Sequence, residues 1–118
     1  MTARSWELYL SEMLGSMNKI ERYIEGVTYD EFIKQDQLVD AVERNIEKIG
    51  EAAAAIPDSV RNQYPEIPWK TIVGLRNKII HHYFAVNYEV VYQIAVKNIP
   101  ETKPMIENVI KNYLKKSR

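Results

Sequence analysis

Apolar residues recur at steps of three and four through most of this chain, and that rhythm narrows its folding options more than any other feature. Between Ser5 and Glu25 they fall at Trp6, Leu10, Met13, Met17, Ile20 and Ile24. At about 100° per residue these positions share one face, which predicts an amphipathic helix closed by Gly26. Thr28 with Glu31 makes a capping box that opens a second helical segment, anchored by Phe32 and Ile33. The pattern breaks near Gln35-Asp36, where Asp36 reads as the cap of a fresh helix. A second stripe of Leu38/Val39, Val42, Ile46, Ile49, Ala53 and Ile56 then runs to Pro57-Asp58, where the missing donor of Pro stops it.

From Pro57 to Pro68 the chain reads as a connector with one short helical turn within 58–64. Pro65 and Pro68 frame Glu66-Ile67, read as an extended piece. A helix restarts at Pro68-Trp69 and carries Ile72, Leu75, Ile79 and Tyr83 on one face, widened by Val73 and Ile80. Asn87 reads as the N-cap of a helix over 88–98. Pro100 and Pro104 punctuate a last helix with Met105/Ile106, Val109/Ile110 and Tyr113/Leu114. No stretch alternates apolar and polar residues long enough for a strand. The expectation is an all-α bundle of four long helices, each burying one stripe, in one domain over 1–118.

Composition removes several function classes. The 118 residues contain no cysteine, which excludes disulfides, thiolate metal sites and a Cys nucleophile. No apolar run approaches the roughly 20 residues that span a bilayer. The first residues carry an acid and no apolar block after it, so no secretory signal is visible. A cytoplasmic protein that does not enter a membrane is the expectation. Net charge is zero but unevenly placed: seven Lys/Arg face thirteen Asp/Glu in residues 1–68, and nine face three in 69–118. Such asymmetry fits a polyanion or an acidic partner on one face, or acidic helices lying against basic ones within the fold. The four glycines, at 15, 26, 50 and 74, are scattered and make no phosphate loop. The serines lie far from the histidines in sequence, so a hydrolase triad has no local support.

One stretch concentrates chemistry. Arg76, Asn77, His81, His82 and Tyr83 lie within eight residues and include both histidines of the chain. A guanidinium binds a phosphate oxygen in bidentate fashion and stays charged, and an imidazole titrates near neutral pH. Arg followed closely by His suits phosphodiester chemistry without a metal. Adjacent His residues point apart on a helix and, with no acid pair nearby, make a poor metal site. On an ideal helix Arg76 and Tyr83 point nearly the same way, whereas His81 is rotated roughly 140° from Arg76. Either the helix loosens before His81, or a two-fold dimer completes the site with the partner's His. On the preceding long helix Arg44, Glu47, Lys48 and Glu51 sit at neighbouring spacings. They read as a solvated face, with Arg44 and Glu51 as auxiliary candidates for the site.

Arg76, His81 and Tyr83 fit the R-x(4–6)-H-x-Y signature of HEPN domains, and the chain resembles the HepT-like ribonuclease toxins of that superfamily. Three blocks in order carry the resemblance: 44–53 (RNIEKIGEAA), 67–70 (IPWK), and 74–77 with 81–84 (GLRN and HHYF). It covers the chain from about Ser5 to Leu114. The resemblance implies a HEPN-like bundle of four to five helices that forms a symmetric dimer, and an endoribonuclease with no metal and no cofactor. Arg76 and His81 would then be catalytic, and Asn77 the polar residue that follows the Arg. Tyr83 would be the tyrosine that a cognate minimal nucleotidyltransferase antitoxin modifies with AMP to silence the toxin. His82 stands between His and Tyr and could share the proton-transfer role. Two rivals use the same residues: a non-catalytic nucleotide-binding adaptor that docks a nucleotidyltransferase, and a structural bundle in which Arg76 and His81 cap a helix end.

Overall fold

The computed structural model describes residues 5–80 and 87–116, with side chains at 5–77 and 87–113. Helix α1 spans Trp6–Ile24, and its predicted stripe is its buried face: Leu10, Met13, Met17 and Ile20 are all within 1% of full burial. Gly26 at φ +71° turns the chain after it, in a conformation that costs glycine little. Helix α2 is the single turn Tyr29–Phe32, and the capping box is present. Thr28 Oγ1 accepts from the Glu31 amide while a Glu31 carboxylate oxygen accepts from the Thr28 amide. The bonds that the Thr28 amide and hydroxyl donate to its carboxylate hold the exposed Glu31 carboxyl below the usual carboxylate range.

Helix α3, Asp36–Ala55, is the central element. Asp36 is its first helical residue and not its cap; Gln35 holds the cap position without a side-chain bond. The acid at 36 still meets the positive end of the helix dipole, which is why it signals a helix start. Val39, Val42, Ile46, Ile49, Ala53 and Ile56 are buried, as the stripe predicts. α3 packs against α1 on one side and α5 on the other.

After the short helix α4, Asp58–Arg61, residues 64–67 form a turn in which the Ile67 amide donates to the Tyr64 carbonyl at 3.1 Å. This corrects the extended reading of Glu66-Ile67. Pro65 falls at the second position of that turn, where its fixed φ is favoured. The turn buries Ile67, and α5, Trp69–Ile80, begins directly after Pro68.

The C-terminal third departs most from the sequence reading. Helix α6, Tyr88–Gln93, starts as expected, with the Asn87 side chain accepting from the Val90 amide. It then runs without a break through a π turn, Ile94–Asn98, into α7, Ile99–Lys116. The Ile99 amide donates five residues back to Ile94. Pro100 cannot follow an ordinary helical turn without clashing with the carbonyl four residues before it. The wider π turn just ahead accommodates that ring, so one helical rod runs on past both prolines where a break was expected.

Long-range ties fix this rod. Tyr92 Oη donates to the Val27 carbonyl at 2.7 Å, and its ring meets Tyr29 and Phe32. Lys103 of α7 bonds Glu21 of α1 at 2.6 Å, one place where the basic half of the chain meets the acidic half. Trp6 and Tyr113 meet edge to face at 5.1 Å at the far end. The described residues contain no strand, and none of their helices is long and apolar enough to cross a membrane.

Candidate functional site

Helix α5 carries the first half of the chemical stretch, and its seating is set at three points. Trp69 Nε1 donates to the Tyr64 carbonyl at 3.1 Å, which locks the start of the helix onto the preceding turn. Ile72 and Leu75 fill the core. The third point is Gly50 on α3. A Cβ there would lie 3.1 Å from both the Cβ and the backbone N of Arg76, and 3.3 Å from the Ile72 carbonyl. The two helix backbones thus approach as closely as a glycine permits, and they do so at Arg76.

Arg76 is half-buried beside this crossing, and Asn77 is exposed on the next face. Among the described residues no carboxylate pairs with the Arg76 guanidinium. A half-buried, unpaired cation lowers its free energy by binding an anion. The helix remains regular through Ile80, so up to that residue it does not loosen. His81, His82 and Tyr83 lie outside the described residues.

The auxiliary candidates sit elsewhere. Arg44 and Glu51 line a groove of about 300 Å³ between α1 and α3, together with Tyr9, Glu12, Ser16 and Lys48. Arg44 also approaches Glu47 at 3.9 Å, the neighbour its spacing suggests. On α3 Arg44 and Glu51 are turned about 100° or more from Gly50, so they do not share its crossing with Arg76.

Two further α3 residues differ from the sequence reading: Glu43, which that reading does not single out, and Asn45, which it groups with the solvated polar face and which the structure buries. Glu43, seven residues before Gly50, projects toward the same side of the helix. One of its carboxylate oxygens is buried and has no hydrogen-bond partner among the described residues. Burial, reinforced by Asp40 and Glu47, raises its carboxyl above the usual range. Asn45 is buried as well: its Nδ2 donates to the Ala41 carbonyl at 2.8 Å, while its Oδ1 has no partner among the described residues. The signal for Glu43 was present in the sequence as three acids at successive helical turns, Asp40, Glu43 and Glu47. Among the described residues no three His, Asp or Glu side chains converge as ligands for a metal ion.

Residues 13–109 match the family model described as Ribonuclease HepT-like. The chain belongs to the HepT-like ribonuclease family. Its relatives within reach include a "Putative RNase" of Methanocaldococcus jannaschii, 38% identical over 112 residues that cover 95% of this chain and 93% of that one. A second "Putative RNase" of the same organism is 39% identical over 98% of this chain and 100% of its own length. The "Probable ribonuclease HepT" of Thermococcus cleftensis is 32% identical over 92% of this chain and 98% of its own. No solved structure matches the chain. The all-helical bundle found here is the architecture that the HEPN resemblance implies.

Proposed function

We propose that this HepT-like protein is an endoribonuclease that cuts RNA without a metal, as the toxin of a toxin–antitoxin pair. RNA supplies its own nucleophile, the 2′-hydroxyl beside the scissile phosphate. His81 accepts the proton of that hydroxyl as its oxygen attacks phosphorus. Arg76 neutralises the charge growing on the phosphoryl oxygens and Asn77 orients them. The bond from phosphorus to the 5′ oxygen breaks, and that oxygen takes a proton from His82 or from the partner's His81. The products are a 2′,3′-cyclic phosphate and a 5′-hydroxyl end.

The observation that carries this reading is the half-buried Arg76, whose backbone and Cβ are held against Gly50 and whose guanidinium has no carboxylate partner among the described residues. Membership of the family and the names of the relatives support the choice of RNA as substrate. Incubation of RNA with the protein in the presence of chelator tests it. Arg76→Ala and His81→Ala should each slow cleavage by about 10²–10⁴-fold with the helical circular dichroism unchanged. Cleavage by both variants at the wild-type rate would refute the mechanism.

Regulation follows from Tyr83. An AMP on its phenol brings a phosphate and a nucleotide to the residue seven beyond Arg76, and so competes with the substrate phosphate for the guanidinium. A minimal nucleotidyltransferase is the proposed antitoxin. Incubation with that enzyme and ATP should add the mass of one AMP to the protein but not to Tyr83→Phe.

A further inference from the structure

Resting on the ribonuclease reading, we propose that the concavity between α4 and the start of α5 is a second RNA contact, a subsite in which Lys70 holds a phosphate flanking the cut. The concavity measures about 390 Å³ and is lined by Asp58, Arg61, Asn62, Trp69, Lys70 and Val73, among others. Lys70 is exposed and forms no ion pair with any described carboxylate. Arg61 is fixed in place: its Nε donates to the Ile56 carbonyl at 2.9 Å. Asp58 lies 3.5 Å from that guanidinium, but its side chain is 88% exposed, so water and salt screen it and the hollow keeps a cationic balance. Trp69 and Val73 give it a partly apolar floor against which a sugar or base can lie. A cation over an apolar floor is the pairing that single-stranded nucleic acid requires of a groove.

Its position relative to the reacting residues is what selects RNA. Lys70, Val73 and Asn77 follow each other at steps of three and four, so they form one ridge of α5. Along the helix axis Lys70 stands about 10 Å from Asn77. With stacked nucleotides rising about 3.4 Å each along one strand, that span equals about three nucleotides, and fewer in an extended strand. A strand whose scissile phosphate lies at Arg76 and Asn77 and which follows this ridge therefore brings a flanking phosphate to Lys70. The subsite would favour substrates several nucleotides long over minimal ones.

The test is binding of a ten-nucleotide single-stranded RNA to full-length protein carrying His81→Ala, measured over a series of salt concentrations. In that background Lys70→Ala should weaken binding by about three- to tenfold and flatten the slope of log affinity against log salt by about 0.7. Lys70→Arg should restore both. Lys97→Ala, which removes an exposed cation from the π turn, should change neither. Equal affinities and slopes for Lys70→Ala and its parent would overturn the subsite. Equal losses for Lys70→Ala and Lys97→Ala would overturn it too, since any surface cation would then serve. Cleavage is read separately: RNA cut by the wild type with no role for Lys70 sinks only the subsite, whereas Lys70-dependent binding without cleavage sinks only the ribonuclease reading.

Discussion

Glycines in helices usually weaken them, yet the glycines of this bundle divide into two kinds by what lies opposite. At Gly15 and Gly74 an added methyl group would meet no atom of the described residues within 4 Å, so alanine there gains helix propensity without a packing clash. Gly15→Ala and Gly74→Ala should each stabilise by about 0.5–1 kcal/mol in denaturant titrations. At Gly50 the same methyl meets the backbone and Cβ of Arg76, which cannot swing aside as a flexible side-chain tip could. Gly50→Ala should force α5 outward by a few tenths of an ångström, cost about 1–3 kcal/mol, and lower RNA cleavage by more than the loss of folded protein explains. Cleavage at the wild-type rate per folded molecule would show that the seat of Arg76 tolerates the shift. Glu43 provides a pH-dependent counterpart. Its carboxyl is raised above the ordinary value of 4.5, first by burial and then by Asp40 and Glu47. The folded chain therefore binds more protons at this group than the unfolded chain, and its contribution to stability falls as pH rises past that value. Glu43→Gln should match the wild type in melting temperature at pH 4 and exceed it as pH rises, the gain levelling off once Glu43 is ionised in the folded chain. A difference that stays constant across that range would assign the effect to something other than ionisation.

At the scale of elements, the sequence reading and the structure agree where information is local and part where it is not. The stripes of α1 and α3, the Thr28 capping box and the Asn87 cap depend on residues within one or two turns of each other, so spacing alone reveals them. The passage from α6 into α7 is different. Pro100 and Pro104 look like breaks because each removes a donor, and nothing nearby shows that a π turn can accommodate the ring and keep the rod continuous. In the candidate site the same division holds. Arg76 and Asn77 stand out by chemistry, but the partnership of Gly50 with Arg76 joins residues 26 positions apart and exists only once α3 and α5 pack. The burial of one Glu43 oxygen is likewise a product of packing. A prediction belongs to this scale as well. Pro104 is exposed inside α7, where its ring denies the Pro100 carbonyl a hydrogen bond. Pro104→Ala should stabilise by about 1–2 kcal/mol, the helix-propensity gain reduced by the freedom that alanine returns to the unfolded chain. A loss of stability would mean that the proline itself helps to seat α7 against α1 and maintain the Lys103–Glu21 bond.

The whole molecule is an elongated bundle of 47 × 28 × 28 Å, and its proportions bear on how two distant angles on one helix can serve one phosphate. α5 is helical through Ile80, the residue just before His81. On an ideal helix Arg76 and His81 diverge by roughly 140°, too far for both to reach one scissile group from the same strand of helix. A two-fold dimer resolves this if α5 lies near the axis, because each Arg76 then faces the partner's His81. Mixing inactive variants separates that arrangement from a site within one chain. In a dimer formed by one Arg76→Ala chain and one His81→Ala chain, the trans arrangement places both substitutions in one site and leaves the other site intact. Random exchange makes half of the dimers mixed, and each mixed dimer has one working site of two, so mixing should restore about a quarter of the wild-type rate. A site built within one chain leaves every site in the mixture carrying one substitution, and the mixture stays inactive. Exchange of subunits, followed by light scattering with one tagged chain, has to be complete before the rate is read. Full exchange with no recovered cleavage would mean either that Arg76 and His81 serve the site from the same protomer or that one site needs the His81 imidazoles of both protomers.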